Sequence, residues 1–263
     1  MKSIVFDPLF DEYARTMKDW YDRGFWRRDV LNYTGNTRDQ LRAGRSGSDQ
    51  HHSNTFRFLR KEMDDLMPGS ELQMFAWVDT GGNLVAEPIT HGATSIGRTS
   101  RNPERSVMIY EQIRQNEELY RLLNYGIEGV QYEIVDGVRV RPESYEPAVH
   151  DFSSNFWGGR VDKFEILGDQ EWPPIWEKWA EYDKIVRSPY PFSKFVLDRT
   201  AIEGELAALS DVIDQKLVPI NWGVVSDPAA AVADLRQSLR QAGHDRVLAE
   251  IQRQVTEYAR SLD

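Results

Sequence analysis

The chain has 263 residues and a formal net charge of −10, with 42 Asp plus Glu against 32 Lys plus Arg. That balance excludes a reader of nucleic-acid phosphates, which needs a basic face. The absence of cysteine excludes disulfides, zinc–thiolate sites and thiol nucleophiles, and no run of about 18 apolar residues is available to span a membrane.

The start, "MKSIVFDPLF", is too short and too acidic for a secretory signal peptide, so no export signal is expected in this chain. Asp7-Pro8 reads as a helix cap with proline in the first turn. Phe10, Tyr13, Ala14, Met17, Trp20 and Tyr21 then keep helical spacing up to Gly24. Residues 32–54 are rich in turn formers around one short helical piece at Leu41. Phe56, Leu59, Met63 and Leu66 mark a second helix, closed by Pro68-Gly69. "ELQMFAWVD" alternates like a strand, and Gly81-Gly82 turns it toward another, "NLVAEPITH".

Asn102-Pro103 opens a further helix carrying Val107, Met108 and Ile113, and Asn116 restarts it. That piece stops in "NYGIEG" and passes into an alternating strand through "DG". The proline- and tryptophan-rich stretch 142–193 reads as loops and short helices packed by aromatic rings. Asp227-Pro228 opens a C-terminal helical region, broken at Gly243. Leu248, Ile251, Val255, Tyr258 and Leu262 continue as an apolar stripe suited to packing on the chain's own core. The expected class is α/β with helices dominant.

Several patterns carry possible chemistry. "GATSIGRT" resembles a phosphate-cradling loop, but Arg98 stands where a lysine is needed, so it reads as a strand-to-helix connection. His51, His52 and His91 read as surface histidines, because neighbours on an extended chain point to opposite sides. Glu128, Glu133 and Asp136 could supply a carboxylate pair for glycoside hydrolysis, though most acidic residues are simply solvated. Trp157 is followed by two glycines that let the backbone approach something closely. Its indole, with Asn155 and Arg160 at the rim, suits a sugar ring, while ordinary core packing is the competing account. For Trp172, Trp176 and Trp179 core packing is preferred.

"ITHGATSIGRTSRNPERSVMIYEQIRQNEELYRLLNYGIEGVQYE" resembles the extracellular solute-binding proteins of ABC importers, nearest their LipO-like and alginate-binding-like branch. The shared motifs are a helix start at Ser100–Glu104, the "YGIEG-x-x-Y" junction at Tyr125–Tyr132, and the "NFWGGR" loop at Asn155–Arg160. "FVLDRTAIEGELAALSDVI" and the "E-x-Q-x-Q" tail, Glu250–Gln254, are similar to the C-terminal region of LipO-like lipoproteins. The resemblance implies the C-terminal portion of a two-lobed periplasmic-binding-protein type II fold. Residues 1–195 would form a partial lobe with hinge segments, and 196–263 the C-terminal helical region.

It also implies a non-catalytic, extracellular or periplasmic substrate-binding component for an oligosaccharide or other polar solute. Such a component serves ABC permease subunits, needs no cofactor, and here looks truncated, its partner an N-terminal lobe. Tyr125, Glu128, Tyr132, Trp157, Asn155, Arg160 and Trp77 are the expected ligand contacts. A carbohydrate-active enzyme using Glu128 or Glu133, or a helical interaction module, are the alternatives.

Overall fold

The computed structural model describes residues 2–86, 92–152, 154, 156–187 and 190–262. In chain order the elements are α1 (Leu9–Asp22), α2 (Thr37–Arg42), α3 (Ser53–Leu66), α4 (Val78–Gly81), α5 (Pro103–Gln115) and α6 (Glu117–Tyr125). The hairpin β1 (Glu133–Val135) and β2 (Val138–Val140) follows, then α7 (Pro147–His150), α8 (Ile175–Ile185), α9 (Glu203–Val212), α10 (Val218–Asn221), α11 (Pro228–Gln241) and α12 (His244–Arg260). The chain forms two compact units, residues 1–36 with 194–263, and residues 37–193.

The first unit is helical. Phe10, Ala14 and Met17 fall on one stripe of α1 and are buried, as spacing of three and four residues requires. Phe10 and Ala14 meet Val232, Leu235 and Leu239 of α11, Leu209 of α9, Ile220 of α10 and Val247 of α12 in one core. A π-helical turn at Ile213–Leu217 joins α9 to α10 immediately before Pro219, whose missing N–H and ring a regular helix would not accommodate.

The sequence expectation grouped residues 1–36 with 37–195; the structure packs them with 194–263. Arg236 of α11 shows why. Its guanidinium donates to the carbonyls of Val5 and Asp7 at 2.8 and 3.2 Å and to both carboxylate oxygens of Asp11 at 3.1 and 2.7 Å. The N-terminal segment is thereby tied to a helix made more than 200 residues later.

The second unit holds the candidate site. Helix α3 is buried on two sides. Leu59 and Met63 pack with Leu41 of α2. On another side Phe56 meets Trp172 edge-on at 5.5 Å, and Ser53 accepts a 2.8 Å bond from the Trp179 indole of α8. Asn116 separates α5 from α6 and caps α6 by accepting from the Leu119 N–H at 2.9 Å. Gly126 ends α6 with φ +87, and a Cβ there would also strike the Gln131 side chain, so both conformation and space select glycine. Positive φ at Asp136 and Gly137 makes the tight turn of the β1–β2 hairpin.

One strand expectation fails. Residues 71–79 form no strand: Asp79 accepts from the Ala76 N–H at 3.1 Å, Thr80 donates to the Trp77 carbonyl at 2.9 Å, and the chain turns into α4. Short polar side chains here offer the backbone local partners, which compete with a ladder. Of the next expected strand, Leu84 to Ala86 bridges Arg187, and 87–91 lies outside the described residues.

Candidate functional site

A cavity of about 260 Å³ opens beside α6 and β2 in the second unit. Arg139 of β2 and Arg141, just past the strand's end, both line it. Each guanidinium lies over a tyrosine ring, Arg139 on Tyr125 at 4.5 Å and Arg141 on Tyr145 at 4.6 Å. Tyr145 donates to Asp151 at 3.4 Å, and the His150 ring nitrogen Nδ1 accepts from the Glu146 N–H at 2.9 Å. Phe58, Asn124, Gln131, Phe152, Asp169 and Gln170 also line it. Aromatic faces, two cations, two carboxylates and three amides thus converge on a volume smaller than most drug-sized sites.

Behind the cavity lies a buried ion pair. Arg57 of α3 and Glu171 are 6% and 4% exposed and meet at 2.6 Å. Glu171 also accepts from the Gly168 N–H at 3.2 Å and approaches Arg139 at 3.7 Å. The strand-like segment 167–169 is pinned to β2 by Arg139 N–H to Leu167 at 2.8 Å and Asp169 N–H to Arg139 at 3.0 Å. Glu171 therefore fixes a segment lining the cavity and the arginine that faces it. Burial pushes its carboxyl above the usual range, with Arg57 the main opposing influence. Burial likewise raises the Tyr125 hydroxyl, which accepts from the Ile166 N–H at 3.2 Å.

The expected contacts are scattered over this unit. Tyr125 lines the cavity. Tyr132, 4% exposed, packs against Tyr125 with ring centres 5.8 Å apart, a supporting position behind the cavity-lining ring. Glu128 is exposed in the turn that Gly129 N–H closes onto the Tyr132 carbonyl at 2.7 Å. Glu133 and Asp136 are also exposed.

Trp157 is 52% exposed in a 3-10 turn, Trp157–Gly159. The close approach foreseen there is to the chain itself: a Cβ on Gly158 would overlap the Gly92 carbonyl, and the Trp157 ring lies over Gly92. Arg160 bonds Asp162 at 2.7 Å, with its guanidinium 5.7 Å from the Trp176 ring and 5.6 Å from Trp179. Trp77 is exposed and meets Phe75 edge-on at 5.6 Å. Asn155 and His91 lie outside the described residues. His52 caps α3, accepting from the Thr55 N–H at 3.2 Å, and no group of three metal-ligating side chains occurs among the described residues.

Sequence reasoning missed Arg57, Arg139, Tyr145 and Glu171. Arg139 and Arg141 carried a usable signal, two cations at strand spacing in "VRVRP". Arg57 carried none, because both sides of α3 are buried and a single apolar stripe does not describe it.

Residues 191–260 match a family described as a domain of unknown function, DUF3502. A carbohydrate ABC transporter substrate-binding protein of Streptococcus pneumoniae is 25% identical over 271 residues, covering 97% of this chain and 50% of the relative. The crystal structure of the N-glycan transport solute-binding protein NgtS from S. pneumoniae superposes with a TM-score of 0.72 at 19% identity, over 98% of this chain and 56% of that one. This chain has the fold of a portion of a solute-binding protein. NgtS in complex with Man5GlcNAc also superposes, with a TM-score of 0.62 at 19% identity over 99% of this chain and 56% of that one. The chain spans about half the length of the relatives it matches, and those relatives are substrate-binding proteins rather than enzymes. The resemblance to the binding proteins of ABC importers stands on these comparisons.

Proposed function

We propose that the chain is part of the substrate-binding component of a sugar ABC importer, with the cavity between Tyr125 and Tyr145 holding one unit of an oligosaccharide. The carrying observation is that cavity's chemistry. Tyrosine faces suit the C–H side of a pyranose, while Arg139, Arg141, Asp151 and Gln131 supply donors and acceptors for its hydroxyls. Cations and carboxylates are balanced, which favours a polyol over an ion. A volume of about 260 Å³ suits one ring, so the rest of the saccharide extends outside. Trp157 and Arg160, with Asn155, form the second contact in this reading. The relatives' roles support delivery to permease subunits on the outer side of a membrane.

The test is calorimetry and thermal shift with a panel of oligosaccharides that includes mannose–N-acetylglucosamine units. A binder present at 100 times its Kd adds about 2.7 kcal/mol of stability. Tyr145→Ala is expected to weaken binding at least tenfold with little change in melting temperature. Failure of every saccharide to stabilise the chain, or hydrolysis of any of them, overturns the reading.

A further inference from the structure

Helix α5 buries none of its 13 residues. Val107, Met108 and Ile109, consecutive in sequence, are 53%, 56% and 53% exposed. A solvated helix does not carry three such residues in a row without a use for them. Leu119, Leu122 and Ile127 extend the apolar surface across α6 and the junction after it. Of these, Ile109, Leu119, Leu122 and Ile127, together with Ile113 and Leu123, line an open groove of about 550 Å³. A helix of this length is marginal on its own. It is anchored on one side by Tyr110, whose hydroxyl donates to the Gly158 carbonyl at 3.1 Å and whose ring meets Phe156 at 5.7 Å. The groove is left without a cover among the described residues.

We infer that this groove is a docking surface for the apolar face of a second polypeptide segment, equivalent to the half of the relatives that this chain does not match. Two observations select that occupant. The carbohydrate-binding relative and NgtS each match nearly all of this chain, yet it covers only 50% and 56% of them, so each carries almost as much polypeptide again. The groove's polar lining is limited to Gln112 and Gln131, so it offers no charge to a phosphate, a carboxylate or a basic peptide. Gln131 and Phe152 line this groove and the 260 Å³ cavity alike. The docked segment therefore forms an outer wall of the saccharide cavity, and this coupling alone rests on the function proposed above.

The lack of cysteine makes the test direct, because single-cysteine variants label at one place. Ile109→Cys and Leu122→Cys report the groove, Ala180→Cys an exposed position on α8, and Ile175→Cys a fully buried one that reports folding. Maleimide labelling rates are measured for the chain alone. They are measured again with the unmatched half of the pneumococcal carbohydrate-binding relative, either joined to the chain or added separately. Labelling at 109 and 122 is expected to be fast in the chain alone and at least tenfold slower with that half in one of the two arms. Positions 180 and 175 should stay fast and slow respectively. Unchanged rates at 109 and 122 in both arms overturn the inference. So does slow labelling in the chain alone that quickens on dilution, which assigns the groove to a second copy. Saccharide affinity is read separately, so its absence leaves this result standing.

Discussion

Gln254 grips Asp198 with both ends of its amide: Oε1 accepts from the Asp198 N–H and Nε2 donates to the Asp198 carbonyl, each at 2.9 Å. A side chain on α12 thus pairs with the 196–200 segment as a neighbouring strand would. Asp198 in turn holds Thr200 by its N–H and hydroxyl at 2.9 and 2.6 Å. Arg253 and Gln254 hold the Glu250 carboxyl down at about 2. The tail motif that carried the family resemblance is therefore a structural clamp. Gln254→Glu keeps the acceptor and loses the donor, and is expected to cost about 1–2 kcal/mol in urea denaturation. Gln252→Ala, an exposed neighbour, should stay within about 0.5 kcal/mol.

The Arg57–Glu171 pair gives a non-additive expectation. Glu171→Leu strands a buried guanidinium and should destabilise the second unit by about 3–5 kcal/mol. The double variant Arg57→Met with Glu171→Leu should cost much less than the two single changes summed. Chemical denaturation of all four proteins completes the cycle, and simple additivity would rule out direct coupling.

Acid stability should depend on Asp11. Its hydrogen bond from Arg236 holds the carboxyl below its ordinary value. The folded form therefore binds its proton less readily than the unfolded chain. The resulting stability is complete above about pH 4 and is lost as pH falls through the lowered folded value. Melting temperatures between pH 6 and pH 2 should fall less steeply in Asp11→Asn, which has nothing to titrate there.

Trp157 and Gly158 separate ligand contact from framework. If Trp157 stacks on a sugar, Trp157→Ala should cost about 2–3 kcal/mol of binding, roughly a 30- to 150-fold loss, while the protein stays folded. Gly158→Ala must push against the Gly92 carbonyl and is expected to cost about 1–3 kcal/mol of stability. Calorimetric titration and thermal melts of the two variants distinguish these effects, and unchanged affinity in a folded Trp157→Ala protein would remove the contact.

Local features were legible in the sequence because local chemistry decides them. Asp7-Pro8 before α1, Asn116 between α5 and α6, Gly126 at the end of α6 and Asp136-Gly137 in the hairpin each act through the next few residues. The strand expected at 71–79 failed where Asp79 and Thr80 gave the backbone nearer partners. The cavity was only half visible. Tyr125 stood out through its junction, but Arg57 and Glu171 are 114 residues apart, and no periodicity links them. The pairing of α1 with α11 was hidden for the same reason.

That pairing also sets an order of events at the ribosome. The buried stripe of α1 leaves the ribosome well before its partners on α11, which follow only after residues 37–193 and α9 have been made. At about 5–20 residues per second, Phe10 and Ala14 wait on the order of ten seconds or more with their core unbuilt. Helix α1 is thus buried long after it is made, because the helices that cover it follow the whole of the second unit in sequence.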